Sequence, residues 1–270
     1  MKKAKIYSIA NQKGGVSKTS TALNLGYALS QTGAKVLLVD LDPQASLSVC
    51  FGLENLEKDK NTIVKLFEKS LNDSILPDDV NACIHKHSKN PNIDILPGYI
   101  TLALIEDRLR SEVGSERTLS EMLLSVEEKY DYIIIDTSPS LGLLLLNALS
   151  ASDGVIITVS PQFLSALGLS ELIKTIKKIQ RRVNGGLDIL GILLTMCDSR
   201  TKLYKEIKAA LEESYSASLP FFETFIPLST KVGEANLNRK SVIEYCPNNR
   251  ASQAYKELSA EIINLSGRCE

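Results

Sequence analysis

Three features of this 270-residue chain predict an α/β fold, a mostly parallel twisted sheet flanked by helices. Strand-length apolar runs alternate with helix-length segments nearly throughout. Several of these runs, KVLLVDL at 35–41, YIIID at 132–136 and GVIITVS at 154–160, are almost continuously apolar, the pattern of strands covered on both faces. The first strand-like segment runs straight into a glycine turn and then a helix, the order in which a sheet presents a phosphate-binding loop.

Taken in order, Lys5–Ala10 reads as the first strand and Thr21–Gln31 as the first helix. Lys35–Leu41 is the second strand. It is stopped by Pro43 and delivers Asp40 and Asp42 at its carboxyl end, where open α/β sheets hold ligands. Asn61–Lys69 reads as a helix. Leu71–Pro91 is polar and reads as a surface excursion, with His85 and His87 as solvated loop residues rather than a metal pair. Ile93–Leu96 is a short strand, Leu102–Arg110 and Thr118–Glu128 are helices, and Tyr132–Asp136 is a buried strand closed by Thr137-Ser138-Pro139-Ser140. A helix at Leu141–Leu149, a strand at Gly154–Ser160, a long helix at Phe163–Val183 and a strand at Leu187–Met196 follow. A helix over about Thr201–Ser214, a last short strand at Phe221–Ile226 and a terminal helix at Ala251–Ser266 complete the chain. No linker interrupts the series, so residues 1–270 read as a single domain.

Composition narrows the function. The chain is 44% hydrophobic and 23% charged, ample for a core, and its net charge of −1 gives no bulk attraction to nucleic acid or membrane. Any DNA binding must therefore come from a local patch. Cys50, Cys83, Cys197, Cys246 and Cys269 have no C-x-x-C spacing, which argues against a zinc site or disulfide framework and for thiols in a reducing cytosol. The basic start runs directly into the first strand and is no signal peptide, and no apolar run reaches the roughly 18 residues of a membrane span.

The chemistry centres on Asn11-Gln12-Lys13-Gly14-Gly15-Val16-Ser17-Lys18-Thr19-Ser20. Glycines let the backbone turn tightly and bring N–H groups to phosphate oxygens, and the following helix adds unpaired N–H groups and the positive end of its dipole. Lys18 is expected to reach the β/γ-phosphates and the Thr19 hydroxyl to bind Mg²⁺. The pattern is K-G-G-x-x-K-[ST]; Gln12 and Ser17 stand where G-x-x-x-x-G-K-[ST] has glycine. Carboxylates on rigid strand ends suit hard Mg²⁺, and two strands end that way, at Asp40/Asp42 and at Asp136.

This loop resembles the deviant P-loop of the ParA/MinD superfamily of ATPases, a P-loop NTPase type. The segments ANQKGGVSKTSTALNL, VLLVDLDPQ, YDYIIIDTSPS, GILLTMCDSRT and VIEYCPNNRASQAY together resemble ParA/Soj partition ATPases of the short type, which lack an N-terminal DNA-binding extension. The resemblance implies ATP and Mg²⁺ as ligands, held by Lys13, Gly14, Gly15, Val16, Ser17, Lys18, Thr19 and Ser20. It implies that Lys13 crosses a homodimer interface to the other subunit's nucleotide, that Asp42 positions the attacking water at the metal-bearing site, and that Asp40 orders the site. It further implies that Asp136 reaches the metal through water and that adenine lies against Met196 and the loop starting at Pro227. Many relatives carry glycine where Ser17 stands and arginine where Leu228 stands. The implied partners are non-specific double-stranded DNA and a ParB-like centromere-binding protein that stimulates a slow ATPase, the implied place the cytoplasm and nucleoid.

Two basic sets are candidates for DNA. Lys174, Lys177, Lys178, Arg181 and Arg182 share one helix face, with Leu172, Ile173, Ile176, Ile179 and Val183 on the buried side. Arg200, Lys231, Arg239, Lys240 and Arg250 are brought together only by the resemblance. Two other readings stand beside partition: a MinD-like membrane-cycling ATPase, which needs a basic amphipathic tail where Ala251–Glu270 carries only Lys256 and Arg268, and a weakly hydrolysing nucleotide-gated scaffold.

Overall fold

The computed structural model describes residues 3–53, 61–72, 74–161 and 168–267. A seven-stranded sheet in the order β3-β4-β2-β5-β1-β6-β7 forms its centre. The strands are β1 (Lys5–Ala10), β2 (Val36–Leu41), β3 (His85–Lys86), β4 (Ile93–Leu96), β5 (Tyr132–Thr137), β6 (Gly154–Val159) and β7 (Asp188–Leu194). Every neighbouring pair is parallel except β3, which runs antiparallel to β4 at one edge. All six residues of β2, β5 and β6 are buried, as their continuous apolar runs require.

The helices are α1 (Lys18–Gln31), α2 (Ser46–Phe51), α3 (Ile63–Ser70), α4 (Pro77–Ala82), α5 (Leu102–Leu109), α6 (Thr118–Leu124) and α7 (Leu143–Ala151). They continue with α8 (Leu169–Arg182), α9 (Lys202–Tyr215), α10 (Thr230–Leu237), α11 (Val242–Tyr245) and α12 (Arg250–Gly267). On one face of the sheet α1 and α12 bury Leu25, Leu29, Tyr255, Leu258 and Ile262 against β1 and β2. The opposite face is covered by α3, α5, α6 and α7 through residues such as Phe67, Leu102, Leu119 and Leu144. The apolar side of α12 is thus spent on the core, and no described helix is long and apolar enough to cross a membrane.

Several expectations are corrected. Phe221–Ile226 is not a strand: it follows β7 through the bridges Ile192–Phe221 and Cys197–Pro227, with backbone bonds at Phe222 and Ile226. Pro220 and Pro227 have no N–H to give, so a regular ladder fails there. The 71–91 excursion contains α4 and β3. His85 and His87 are partly buried and bonded rather than solvated: a ring nitrogen of His85 pairs with the Asn61 carbonyl at 2.9 Å, and His87 Nδ1 accepts from the N–H groups of Lys89 and Asn90. The first part of the expected helix Phe163–Val183 lies outside the described residues; from Leu169 it is helical, with its apolar face buried and its basic face exposed.

Candidate active site

β1 stops at buried Ala10, and Asn11 fixes the loop that follows. Its Oδ1 accepts the Lys13 N–H at 2.8 Å while its amide donates to the Thr158 carbonyl on β6. Gly14 and Gly15 have nothing within 4 Å of where a Cβ would stand, so the loop's outer face is open. Gly15 has φ +71, a conformation that glycine adopts without strain. Ser17 is also left-handed at φ 61, where a non-glycine residue is uncommon. Its side chain does not cap α1, and the first turn of α1 carries no acidic residue, which leaves the helix N-terminus to an anion.

Lys18 is 7% exposed and donates from Nζ to the Lys13 carbonyl at 3.0 Å, closing the loop on itself. Burial lowers its pKa, and the charges of Asp136 and Asp42 oppose that. Those carboxylates arrive by strand register. Asp40 on β2 pairs with Asp136 on β5, and Ile9 of β1 pairs with Asp136, so the three strands present one acidic edge beside the loop. Asp40 is fully buried and held: Oδ2 accepts from the Ser48 N–H at 2.8 Å and the Ser48 hydroxyl at 2.6 Å, and Oδ1 from the Asp42 N–H at 3.3 Å. Burial still pushes its pKa up to about 6 against those hydrogen bonds. Ser48 Oγ in turn accepts the Gly98 N–H at 3.0 Å. Only glycine fits at 98, because a Cβ there would stand 2.8 Å from the Asp40 carbonyl oxygen. Asp42 is nearly buried and accepts from the Gln44 N–H at 2.9 Å.

Asp136 is different. It is fully buried, yet neither carboxylate oxygen has a hydrogen-bond partner. Burial and then the Asp40 charge push its pKa well above the usual carboxylate range; the nearby Thr19 hydroxyl favours ionisation without reaching bonding geometry. A buried carboxylate costs several kcal/mol unless something pairs with it. Two orphaned hard oxygens beside the Thr19 hydroxyl and Asp42 fit a magnesium ion. No group of three or more His, Cys, Asp or Glu able to hold a metal is present among the described residues. Magnesium is commonly bound through one or two carboxylates, with phosphate and water completing the shell.

A cavity of about 540 Å³ opens over these groups, and its lining includes Gly14, Gly15, Ser17, Lys18, Thr19, Ser20 and Asp42. Val16 is instead buried, its carbonyl accepting the Thr195 hydroxyl at 3.1 Å. Sequence reasoning missed Gln44, Ser46, Cys50, Pro139 and Asn236, which also line the cavity. Asn236 arrives on α10, an eight-residue helix with no strong periodicity. Cys50 is a free thiol with its pKa pushed up to about 11 by burial, as expected of an unreactive cysteine. Met196 follows Thr195 and is left-handed at φ 56, and Pro227 is bridged to Cys197. Neither lines this cavity, and Pro227 borders a separate hollow of about 340 Å³ that includes Arg250.

The candidate DNA residues do not converge on one cavity. Arg200 is clamped to Asp198 by two bonds of 2.9 Å, and its guanidinium holds the Asp198 carboxyl at about 2. Lys231 pairs with Glu234 at 2.7 Å. Arg239 and Lys240 line a third cavity, apart from Arg250. On α8, Lys177, Lys178, Arg181 and Arg182 are exposed, while Lys174 pairs with Glu171 at 2.7 Å. Leu228 is 62% exposed.

Residues 4–189 match a family model described as an AAA domain. The chain is 39% identical to the sporulation initiation inhibitor protein Soj of Bacillus subtilis, over 96% of this chain and 98% of that protein. It is 32% identical to the chromosome partitioning protein ParA of Caulobacter vibrioides, over 96% of this chain and 94% of that one. Among solved structures it resembles the cobyrinic acid a,c-diamide synthase of Mycobacterium smegmatis with bound ATP analogue and magnesium, at TM-score 0.83 and 29% identity, covering 99% of this chain and 97% of the other.

Proposed function

The chain belongs to the AAA-domain family of P-loop ATPases, with Soj and ParA among its relatives, and from that premise we propose that it is a DNA-partition ATPase. The observation that carries the ATPase part of the reading is Asp136, buried without a partner beside Thr19 and Lys18 at the open phosphate loop. ATP sits in the 540 Å³ cavity with its phosphates on the loop N–H groups and the N-terminus of α1. Lys18 exchanges the Lys13 carbonyl for the β/γ-phosphates. Thr19, Asp42 and Asp136 would hold magnesium, which would neutralise charge on the phosphates. Asp42 orients the attacking water, and Asp40, fixed by Ser48, keeps the Asp42 backbone in place. Lys13 of each copy reaches the other's nucleotide, forming an ATP-dependent dimer.

The dimer binds duplex DNA without sequence preference and lets go on hydrolysis, which a ParB-like partner stimulates. The exposed basic face of α8 supports this, and the burial of α12 in the core gives a membrane no apolar face there. The test measures gel shifts of non-specific duplex and ATP turnover together. Binding should require ATP and weaken steeply with salt, and Lys177→Glu with Lys178→Glu should lower the salt slope by about 2. Asp42→Ala should keep ATP and DNA binding but lose turnover at least tenfold, and unchanged turnover would sink the hydrolytic role.

A further inference from the structure

Asn236 reaches the nucleotide cavity from α10, far along the chain from the phosphate loop, and meets Ser20 in the first turn of α1. Both residues line the cavity. The Asn236 amide donates from Nδ2 to Ser20 Oγ at 3.5 Å, the outer limit of a hydrogen bond.

The Ser20 hydroxyl is unusual for a helix. A serine there can return its proton to a carbonyl three or four residues back. Ser30 on the same helix does so, donating to the Tyr27 carbonyl at 2.8 Å. Ser20 makes no such bond among the described residues. The Val16 carbonyl, four residues back, accepts the Thr195 hydroxyl at 3.1 Å instead. A hydroxyl has one proton to give and lone pairs to receive with. Ser20 therefore receives from α10 and keeps its proton for something in the cavity.

One buried side chain sets the pair. Asn24 is fully buried on α1, and its amide donates to the Ser20 carbonyl at 2.7 Å. Its Oδ1 accepts the Val242 N–H at 2.7 Å, at the start of α11. Asn24 thus grips both the turn that carries Ser20 and the segment that follows Asn236. Ser229 caps the other end of α10, accepting the Lys231 N–H at 3.2 Å.

We infer that Asn236 is a positioning residue for the nucleotide: its amide occupies a lone pair of Ser20 Oγ and so turns that hydroxyl's proton toward the α-phosphate. The inference rests on the ATPase reading above. In that reading Lys18 takes the β/γ-phosphates and Thr19 the magnesium. Ser20, one residue further into α1, is left for the phosphate next to the sugar, which ATP and ADP share. A long contact of this kind tightens around a ligand.

The experiment titrates ATP and ADP, each with magnesium, into the full chain by calorimetry. Ser20→Ala should weaken both about tenfold, as expected for one hydrogen bond to a charged oxygen. Asn236→Ala should weaken both equally, by about fivefold. The double variant should lose no more than Ser20→Ala alone, because Asn236 acts only through that hydroxyl. Asn236→Gln carries the same amide on a longer stem and should recover part of the loss. Alanine suits a helix, so α10 survives the substitution, and an unchanged nucleotide-free melting curve verifies it. Asn236→Ala binding like the parent, a loss confined to ATP, or losses that multiply in the double variant would each overturn the proposal and leave the ATPase reading standing. A parent chain that binds neither nucleotide would overturn the ATPase reading, and this one with it.

Discussion

Asp136 stands where its own charge is disfavoured, and that fixes how the protein responds to pH and ligand. Asp40 and Asp136 both bind a proton more tightly in the fold than in the unfolded chain. Their contribution to stability is therefore full below the ordinary carboxylate pKa and is lost as pH rises, for Asp40 through about 6. Asp136→Asn removes the buried charge, so the nucleotide-free variant should melt several degrees higher than the parent near neutral pH. The rise in melting temperature on adding Mg-ATP should nearly vanish. A variant that melts no higher and still responds to Mg-ATP would show that Asp136 is neither strained nor a ligand holder. These residues were legible in the sequence because they end apolar strands in the order and spacing that follow a phosphate loop; either alone would read as well as a cap or a strand terminator. Asn236 and Cys50 were not, because nothing local marks them; tertiary packing alone brings α10 and α2 to the loop.

At the level of elements, α2 is the hinge between chemistry and scaffold. Its Ser48 joins β2 to the turn after β4 by donating to Asp40 and accepting from Gly98. Ser48→Ala leaves a buried N–H and a buried carboxylate each one partner short, and should cost about 2 kcal/mol in denaturant unfolding. It should also slow turnover, because Asp40 no longer steadies Asp42. A loss below about 0.5 kcal/mol would mean that water replaces the hydroxyl at both positions. Elements long enough to show a period, such as α1, α9 and α12, were read within a few residues of their ends, while the expected start of α8 lies outside the described residues. The short helices α2, α4, α10 and α11 were missed, although α3, α5 and α6, of seven or eight residues, were read. The segment at 221–226 looked like a strand by composition, and the flanking prolines broke its ladder.

For the whole molecule, the parallel order and its ligand-bearing rim followed from strand–helix alternation, while the antiparallel β3 did not, being only two residues long. The proposed dimer places the test on Lys13. Lys13→Ala should bind ATP within about threefold of the parent yet sediment as a monomer in ATP. Dimers at the parental concentration would remove the cross-subunit role. The sheet edges say what other assembly is open to the chain. On one side stands the two-residue β3, with Lys86 latched to Asp94; on the other, the 220–228 segment takes up backbone groups of β7. Neither margin leaves a long bare row of amides for another copy to zip onto. Copies crowded together therefore have no bare strand edge through which to join sheet to sheet, and in the proposed reading their association is left to the nucleotide-dependent interface.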